Sequence, residues 1–384
     1  MKTLGIFTTS RSDYGILSNL LSAIDNDKHI QYKLFVGGSH LTIKQGLTIN
    51  EIQKKNKITR VFDFLINTNS EYSLNQSLAI STFQLNEIFI SEFFDLVCIL
   101  GDRIELLPIV QTAVIFRKPI IHIHGGEVTE GAIDNQVRHM ITKSSHLHFV
   151  ACTEYYQNVR KMGESDWRIF NTGALGIDGI VKNRKIDKKT LFKQLNLDIN
   201  QQTIILTYHP VSLEYKIKTI NQVENLFNAL DNYDFQVVIT APCIEIDSDK
   251  IVNYIFSQIK KNKNYHYIKS LGTLKYYNLI SHCKFVIGNS SSGIIEAPFF
   301  RIPTVNIGDR QKGRIRHSSI IDTDYSTESI QKGIDKAISE DYRKCIKKMT
   351  CKFGDGRAAE KMLNIIKDIE INEKLMRKKL EFPE

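Results

Sequence analysis

A short segment rich in histidine, glycine and carboxylate offers the clearest chemistry in this sequence. It reads His-Ile-His-Gly-Gly-Glu from His122 to Glu127, and Asp134 and Arg138 follow it. Imidazole and carboxylate groups transfer protons near neutral pH when they are held close to a substrate. Asp134 and Arg138 are spaced so that they would lie on one face of a helix. We therefore predict an acid–base site in which His124, Glu127, Asp134 and Arg138 take part.

The same histidines offer an alternative chemistry, the binding of zinc. His122 and His124 alternate on a predicted strand and would point the same way. No His-Glu-x-x-His helix and no nearby cysteine completes a tetrahedral site in the sequence. We therefore expect no metal here and favour proton transfer.

Three further candidates follow other predicted strands. Gly101 precedes Asp102 and Arg103, which places a carboxylate and a guanidinium side by side after an apolar run. His40 follows two glycines after another run, and His209 ends a third. Each has a simpler structural explanation, because an adjacent Asp–Arg pair is often only a salt bridge and a lone histidine is more often structural. The functional interpretation is favoured because all of these residues, like the first segment, follow predicted strands.

A glycine- and serine-rich loop predicts an anion site. The run Gly288-Asn289-Ser290-Ser291-Ser292-Gly293 follows an apolar strand, and a helix is expected to begin at about Ile294. Three hydroxyl groups and the free N–H groups of a helix start can hold a diphosphate. Glu296, expected in the first helical turn, would accept hydrogen bonds from ribose hydroxyls. A serine-capped helix, with Glu296 as a partner of the helix dipole, is the alternative.

Two basic segments supply cations for the same anion. Arg11 lies in a polar turn after the first strand, just before a helix that is expected to begin near Tyr14, and Asp13 is the expected cap if this turn is only structural. Arg310 lies in the basic run Gly308–Arg316, whose alternative interpretation is a solvated loop. Arginine is suited to this task because its guanidinium forms two charge-assisted hydrogen bonds to one phosphate.

Alternating apolar runs and helical patterns must position these residues. Two sets of short strands are predicted, at 4–7, 32–36, 96–100, 119–122 and 147–150, and at 203–207, 236–239, 265–268, 285–287 and 304–307. Strands that alternate with helices are typical of βαβ units around a parallel sheet. The sequence therefore predicts an α/β protein with two facing Rossmann-like domains and a central cleft, since ligands bind beyond the carboxyl ends of such strands.

The predicted domains meet at the polar, lysine-rich segment 181–193, which is the expected linker. Residues 1–180 would form the first domain, which carries most acid–base candidates. Residues 181–365 would form the second, which holds the anion site, and residues 366–384 a helical tail.

Composition narrows the class of protein. The 384 residues are 42% hydrophobic and 24% charged, as in a globular chain. The net charge is +9, but the basic residues are scattered and no nucleic-acid-binding motif is present, so no nucleic-acid partner is expected. The absence of a long apolar run and of a signal-peptide pattern favours a cytoplasmic protein without a membrane partner. The six cysteines lie far apart, mostly in apolar runs, and are expected to be reduced core residues.

The sequence resembles the hydrolysing UDP-N-acetylglucosamine 2-epimerases of sialic acid biosynthesis in motifs that follow the family's order: SRSDYG, GGSHL, GDR, HIHGGE, YHPV, GNSSSGIIE and GDRQKGR. The resemblance spans most of the chain and implies a GT-B-like fold with UDP against the second domain. It implies nucleotide contacts at Ser290, Ser291, Glu296 and Arg310, with Arg11 and Arg103 approaching from the first domain. The adjoining Asp13, Ser292 and Gly293 complete the predicted UDP site. Residues around the sugar are implied at Asp102, Asp134, Arg138, His40 and His209.

The implied reaction is elimination of UDP followed by hydration. Cleavage of the C1–O bond releases UDP and leaves a 2-acetamidoglucal, and water then adds while a proton reaches C2 from the opposite face. This route requires acid–base groups and positive charge at the leaving diphosphate. It requires no redox cofactor, because the overall oxidation state of the sugar is unchanged. UDP-N-acetylglucosamine would give UDP and N-acetylmannosamine.

One position departs from the family pattern, and several alternatives stay open. His124 stands where several relatives have glutamate, so either His124 or Glu127 is expected to take over that role. The alternative substrate within the family is UDP-2,4-diacetamido-2,4,6-trideoxyglucose of the legionaminic acid pathway. Other classes are a GT-B glycosyltransferase and a non-catalytic sugar-nucleotide sensor, and the retained Asp102 and Asp134 argue against the sensor. A homo-oligomer, either a dimer or a tetramer, is also expected.

Overall fold

The chain forms two compact units. The computed structural model describes residues 1–66, 70–130, 132–182, 184–211, 217–242 and 247–381. The first unit comprises Met1–Glu127, Asp134–Gly179 and Phe353–Glu384, and the second comprises Val128–Ile133 and Ile180–Lys352. Each unit contains a parallel β-sheet with α-helices, which confirms the predicted α/β fold class.

The sheet of the first unit has seven strands within the described residues: β1 (Lys2–Thr8), β2 (Ile30–Gly37), β3 (Ile58–Phe62), β4 (Leu96–Leu100), β5 (Ile120–Ile123), β6 (Leu147–Val150) and β7 (Ile169–Asn171). Their order is β3-β2-β1-β4-β5-β6-β7, and all neighbouring pairs are parallel. The five strands predicted in this unit are confirmed. The two that the sequence analysis missed, β3 and β7, are the edge strands, which are less buried and therefore less apolar.

The described part of the second unit contains a sheet of six strands: β8 (Thr203–Thr207), β9 (Gln236–Thr240), β10 (Tyr265–Ile268), β11 (Val286–Gly288), β12 (Thr304–Ile307) and β13 (Ile320–Thr323). Their order is β10-β9-β8-β11-β12-β13, again parallel throughout. The five predicted strands are present. The missed strand, β13, is again at an edge, where its four residues carry one exposed and two half-buried side chains.

Sixteen α-helices are present in the described residues: α1 (Arg11–Asp25), α2 (Ile49–Gln53), α3 (Glu71–Ser91), α4 (Leu107–Ile115), α5 (Asp134–Ser144), α6 (Thr153–Lys161), α7 (Leu175–Lys182), α8 (Lys188–Leu195), α9 (Thr219–Leu230), α10 (Ser248–Ile259), α11 (Gly272–His282), α12 (Ser291–Ile295), α13 (Thr327–Ile338), α14 (Glu340–Ile346), α15 (Ala358–Asp368) and α16 (Glu373–Met376). None of them is both long and apolar enough to cross a membrane.

Two apolar cores explain why the first sheet reads as near-continuous hydrophobic runs. Leu4 and Ile6 of β1 belong to one core, together with side chains of α1, whereas Phe7 belongs to a second core with side chains of α3 and α4. Successive side chains of a strand point to opposite faces, so both faces of this sheet are buried. The strand ends are thereby fixed, and so are the loops that carry the candidate residues.

The expected assignment of the C-terminal part to the second domain is wrong for residues 353–365. Helix α15 packs in the first unit, where Met362 joins the core beside α1. The Asp178 carboxylate accepts hydrogen bonds from the backbone N–H groups of Ala358 and Ala359, at 2.8 and 2.7 Å. It therefore satisfies the free donors at the start of α15. The expected linker at 181–193 is also partly helical, because α7 ends at Lys182 and α8 begins at Lys188.

The cysteine prediction holds only in part. Cys98, Cys152 and Cys283 are buried and free, as expected. Cys345 is exposed and Cys351 is half-buried, because both lie in the lysine-rich surface stretch rather than in a core. Cys243 lies outside the described residues.

Candidate active site

The carboxyl ends of β4 and β5 bring the acid–base candidates of the first unit together. The two strands are parallel neighbours, and the N–H of Gly101 donates to the carbonyl of Ile123 at 3.0 Å. The residues that follow these strands must therefore emerge at the same sheet edge. Asp134 and Arg138 both lie on α5, as predicted, and Asp134 is its half-buried first residue.

Asp102 forms its ion pair with Arg138 rather than with the adjacent Arg103. The Nη2 of Arg138 contacts Oδ2 of Asp102, and its Nη1 donates to the carbonyl of Glu127 at 2.9 Å. The side chain of Arg138 is 1% exposed and that of Asp102 is 20% exposed. Arg103 instead pairs with Glu105, at 3.2 Å. A salt bridge between the two neighbours was the alternative structural explanation, and the structure instead gives each side chain an ion-pair partner of its own.

His124 and Glu127 form a buried pair. Nδ1 of His124 lies 3.0 Å from Oε1 of Glu127, and Nε2 accepts the backbone N–H of Leu175 at 3.3 Å. The expectation that His122 and His124 point the same way is wrong, because His124 has left-handed backbone geometry (φ 67°) and lies beyond the end of β5. The two histidines therefore have separate environments.

Two of the predicted histidines are structural. Nε2 of His122 donates to the carbonyl of Gly101 at 2.8 Å, and burial lowers its pKa to about 3. His40 lies between the hydroxyls of Thr8 and Thr48, at 3.0 and 2.8 Å, and burial, aided by the positive charges of Arg103 and Arg11, lowers its pKa to about 3. The predicted role of His40 beside the sugar does not fit a fully buried imidazole that is neutral near pH 7.

The first turn of α1 also differs from its prediction. The helix begins at Arg11, and Ser10 rather than Asp13 is its cap, since the Ser10 hydroxyl accepts the N–H of Asp13 at 3.4 Å. Asp13 is buried beneath Thr9, whose hydroxyl lies 3.4 Å from Oδ2. Burial raises the pKa of Asp13 to about 6, against the opposing positive charge of Arg103. The carboxyl of Asp13 is thus part of the turn, while Arg11 is half-buried beside it.

The serine turn of the second unit lies at the carboxyl end of β11. Helix α12 begins at Ser291, three residues before the predicted start, because Ser290 is its cap and accepts the N–H of Ser292 at 3.4 Å. Glu296 consequently lies at the end of α12 rather than in its first turn. Ser290, Ser291 and Ser292 are half-buried. Gly293 is required by packing, because a Cβ there would lie 2.7 Å from Cγ2 of Thr304.

Two residues that the sequence analysis did not select hold this turn in place. The Asn289 side chain accepts the N–H of His209 at 2.7 Å and donates to its carbonyl at 2.8 Å. The hydroxyl of Tyr276 on α11 donates to Oγ of Ser292 at 2.7 Å. Asn289 therefore joins the ends of β8 and β11. The one sequence signal for this role is its position after a glycine at the end of a buried strand. Tyr276 carried no such signal.

Arg310 is a buried residue rather than part of a solvated loop. Its Nε donates to the carbonyl of Pro210 at 3.2 Å, and the next side chain, Gln311, donates to the carbonyl of Asn289 at 2.9 Å. Gly308 permits this approach, because its φ is 69° and a Cβ there would lie 2.0 Å from the Tyr325 ring. Arg310, Asn289 and the serines of the described turn therefore belong to one fixed assembly at the sheet edge.

Comparison with known proteins assigns the family. Residues 22–367 match the model of the UDP-N-acetylglucosamine 2-epimerase family. The chain is 36% identical to a GDP/UDP-N,N'-diacetylbacillosamine 2-epimerase (hydrolyzing) of Campylobacter jejuni over 88% of each chain, and 30% identical to a UDP-N,N'-diacetylbacillosamine 2-epimerase (hydrolyzing) of Legionella pneumophila over 97% of each. Its fold is similar to that of the UDP-GlcNAc 2-epimerase from Neisseria meningitidis bound to UDP-GlcNAc, with a TM-score of 0.81 at 17% identity over 95% of this chain and 99% of the other. Since the family model covers most of its length, the chain belongs to the UDP-N-acetylglucosamine 2-epimerase family.

Proposed function

We propose that this family member is a hydrolysing 2-epimerase whose substrate is UDP-2,4-diacetamido-2,4,6-trideoxyglucose, that is, UDP-N,N'-diacetylbacillosamine. The products would be UDP and the free 2,4-diacetamido sugar inverted at C2. The observation that carries this choice over UDP-N-acetylglucosamine is the 36% identity to a relative named for the diacetamido substrate. The second relative named for it, at 30% identity over almost the whole chain, supports the same choice.

The proposed chemistry starts with elimination. The C1–O bond breaks and its electron pair leaves with the diphosphate, while a base removes the proton at C2, so that a C1–C2 double bond forms. One water molecule then adds: its oxygen bonds to C1, and a proton reaches C2 from the opposite face. The step needs an ionised carboxylate close to C2 and cationic or N–H donors at the diphosphate.

In the first unit, the proton-transfer groups of the proposal are Asp102 and Asp134. Asp102 combines partial exposure with a fixed ion pair to Arg138, so it is both accessible and oriented. Asp134 starts the helix that carries Arg138. We place Arg11 and Arg103 at the leaving diphosphate, since both side chains are half-buried and follow strands of the same sheet.

In the second unit, the proposed UDP site is the serine turn with Gly293, Glu296 and Arg310. The half-buried hydroxyls of Ser290, Ser291 and Ser292 and the N–H groups of their turn supply neutral donors. Arg310 supplies a fixed positive charge, which strengthens hydrogen bonds to a phosphate. His209 is held through its backbone by Asn289 and is assigned a contact with the sugar or phosphate.

The test is to incubate the purified protein with UDP-N,N'-diacetylbacillosamine, its GDP-linked counterpart and UDP-N-acetylglucosamine, and to follow the products by NMR. We expect free 2-epimerised sugar and UDP, with the highest kcat/KM for the UDP-linked diacetamido substrate. A higher kcat/KM for UDP-N-acetylglucosamine would overturn the substrate choice. A stable UDP-linked epimer would instead indicate a non-hydrolysing enzyme, and sugar transfer to an acceptor a glycosyltransferase.

We also propose that the protein is a homo-oligomer assembled through the apolar face of α3 and α4. Phe83 and Ile90 of α3 are 76% and 71% exposed, and Val114 and Ile115 at the end of α4 are also exposed. Exposed apolar surface of this extent typically marks an interaction site. A second copy is the proposed occupant because this face carries no exposed lysine or arginine on α3 or α4 and only Glu87 as an exposed charge between Phe83 and Ile90, so two copies of a chain of charge +9 avoid bringing cations together there.

Light scattering after size exclusion tests this assembly. Phe83→Glu should shift the protein to monomers, because it places a charge in the centre of the face. Phe256→Glu, at an exposed phenylalanine of α10 in the second unit, is the matched control and should leave the mass unchanged. A wild-type monomer would refute the proposed assembly.

A further inference from the structure

Both ring nitrogens of His124 have a close polar neighbour within the protein. Nε2 accepts the backbone N–H of Leu175 at 3.3 Å, so the ring proton must reside on Nδ1. Nδ1 lies 3.0 Å from Oε1 of Glu127, an ion-pair distance. The side chains of His124 and Glu127 are 8% and 3% exposed, against 20% for Asp102. A group that exchanges protons with a sugar must reach it, and this pair is the less accessible one.

The backbone of the same turn is fixed from two sides. The N–H of His124 donates to the carbonyl of Phe149 on β6 at 2.8 Å. The side chain of Asn158 on α6 donates to the carbonyl of Gly126 at 2.9 Å. A Cβ at Gly126, whose φ is 77°, would lie 2.4 Å from the carbonyl oxygen of Tyr155. The turn is therefore packed against its neighbours and leaves little room for Glu127 to swing outward.

A continuous line of contacts runs from this pair to Asp102. The side chains of His124 and Glu127 fix the turn, and the carbonyl of Glu127 accepts a hydrogen bond from Arg138 at 2.9 Å. The other end of the Arg138 guanidinium holds Asp102. Because Arg138 is buried, these two acceptors help to fix its orientation. A change at His124 or Glu127 is thus transmitted to the most accessible carboxylate of the line.

We propose that His124 and Glu127 are positioning residues that act through Arg138 on Asp102, and that neither exchanges protons with the sugar. This inference rests on the proposed epimerase function and deepens it. The histidine at the position where relatives have glutamate does not replace that carboxylate as an acid or base. Instead, the proton transfers fall to Asp102 and Asp134, and the His124–Glu127 pair keeps Asp102 in place.

Conservative and disruptive variants of Glu127 separate positioning from proton transfer. Glu127→Gln keeps the side-chain length and a polar oxygen beside Nδ1 of His124, so kcat should stay within about fivefold of wild type. Glu127→Leu and His124→Phe remove that polar contact and should lower kcat by roughly 10- to 100-fold through misplacement of Asp102, with little change in KM. In the double variant His124→Phe/Glu127→Leu, kcat should fall no further than in the more impaired of the two single variants, because both residues act through the same contacts.

The pH profile of kcat/KM and the ring tautomer of His124 distinguish positioning from proton exchange. The His124 and Glu127 variants should keep every limb of the wild-type kcat/KM profile, and ¹⁵N NMR of labelled histidine should show the His124 proton on Nδ1. The inference is wrong if Glu127→Gln lowers kcat as much as Asp102→Asn does. It is also wrong if His124→Gln removes a limb of the kcat/KM pH profile, because the pair would then exchange protons. Turnover by the wild-type protein tests the proposed function separately, and the tautomer measurement does not depend on activity.

Discussion

The two units solve different chemical problems with different side chains. At the edge of the first sheet, carboxylates lie beside a guanidinium or an imidazole, as in the Asp102–Arg138 and His124–Glu127 pairs. At the edge of the second sheet, the serine turn is held by neutral hydrogen bonds from Asn289 and Tyr276. Charge pairs fix the ionisation state that proton transfer needs, whereas hydroxyl and amide donors suit an anion that must bind and leave.

This comparison predicts that substitutions in the first unit affect turnover and pH dependence, and that those in the second affect nucleotide affinity. Four experiments test this division of roles between the two units.

The largest effect is expected for Asp102→Asn. The amide keeps the shape but cannot accept the proton, so kcat should fall by roughly 10²–10⁴-fold while UDP still binds. Steady-state kinetics and calorimetry with UDP measure the two quantities. Asp166→Asn, which breaks an exposed ion pair with Arg160 on the same unit, is the control and should keep normal turnover. Near-normal turnover of the Asp102 variant would show that Asp102 is not a proton-transfer group.

Asp13→Asn should stabilise the protein in a pH-dependent way. Burial raises the pKa of Asp13 from 3.8 to about 6, so ionising it in the folded state costs free energy above that pH. The amide removes this cost, and the free energy of unfolding at pH 8 should rise by up to about 3 kcal/mol. Below pH 4 both folded and unfolded chains carry a protonated Asp13, so the gain should vanish.

Urea unfolding at pH 8, 6 and 4 measures this dependence. Asp249→Asn, at an exposed acid in the first turn of α10, is the control and should change the free energy by less than about 0.5 kcal/mol. A gain that is the same at all three pH values would contradict the proposed cause.

Arg310→Ala should weaken UDP binding by about 10- to 100-fold, because a charge-assisted contact to the diphosphate is lost. Calorimetry measures the affinity, and a melting curve checks the fold, since Arg310 also donates to the carbonyl of Pro210. Lys312→Ala removes a cation of the same segment whose side chain is 61% exposed, and should bind UDP normally. Equal affinities would leave Arg310 a purely structural role.

The smallest effect is expected for Tyr276→Phe. The substitution removes only the hydroxyl that donates to Ser292, so UDP affinity should fall by about two- to fivefold, with kcat unchanged. Tyr342→Phe removes a comparable hydrogen bond, to the carbonyl of Ser318 in the same unit, and should leave affinity unaltered. A loss of kcat instead of affinity would mean that the two sheet edges do not divide the work as proposed.

The amino-acid pattern alone predicts the α/β class, ten of the thirteen described strands and the loops at their ends that carry the candidate residues. These features are local: buried parallel strands are continuous apolar runs, and polar or glycine-rich turns must follow them. The three missed strands lie at sheet edges, where half-exposure removes the apolar signal.

The partner of each candidate side chain is evident only from the tertiary structure. Asp102 pairs with Arg138, 36 residues along the chain rather than with its neighbour, and His40 and His122 are enclosed by hydroxyls and carbonyls of other segments. Helix α15 returns to the first unit because Asp178 and the core beside α1 accept it there. These choices depend on which strand ends the sheet order brings side by side, and a linear pattern contains no distance between them.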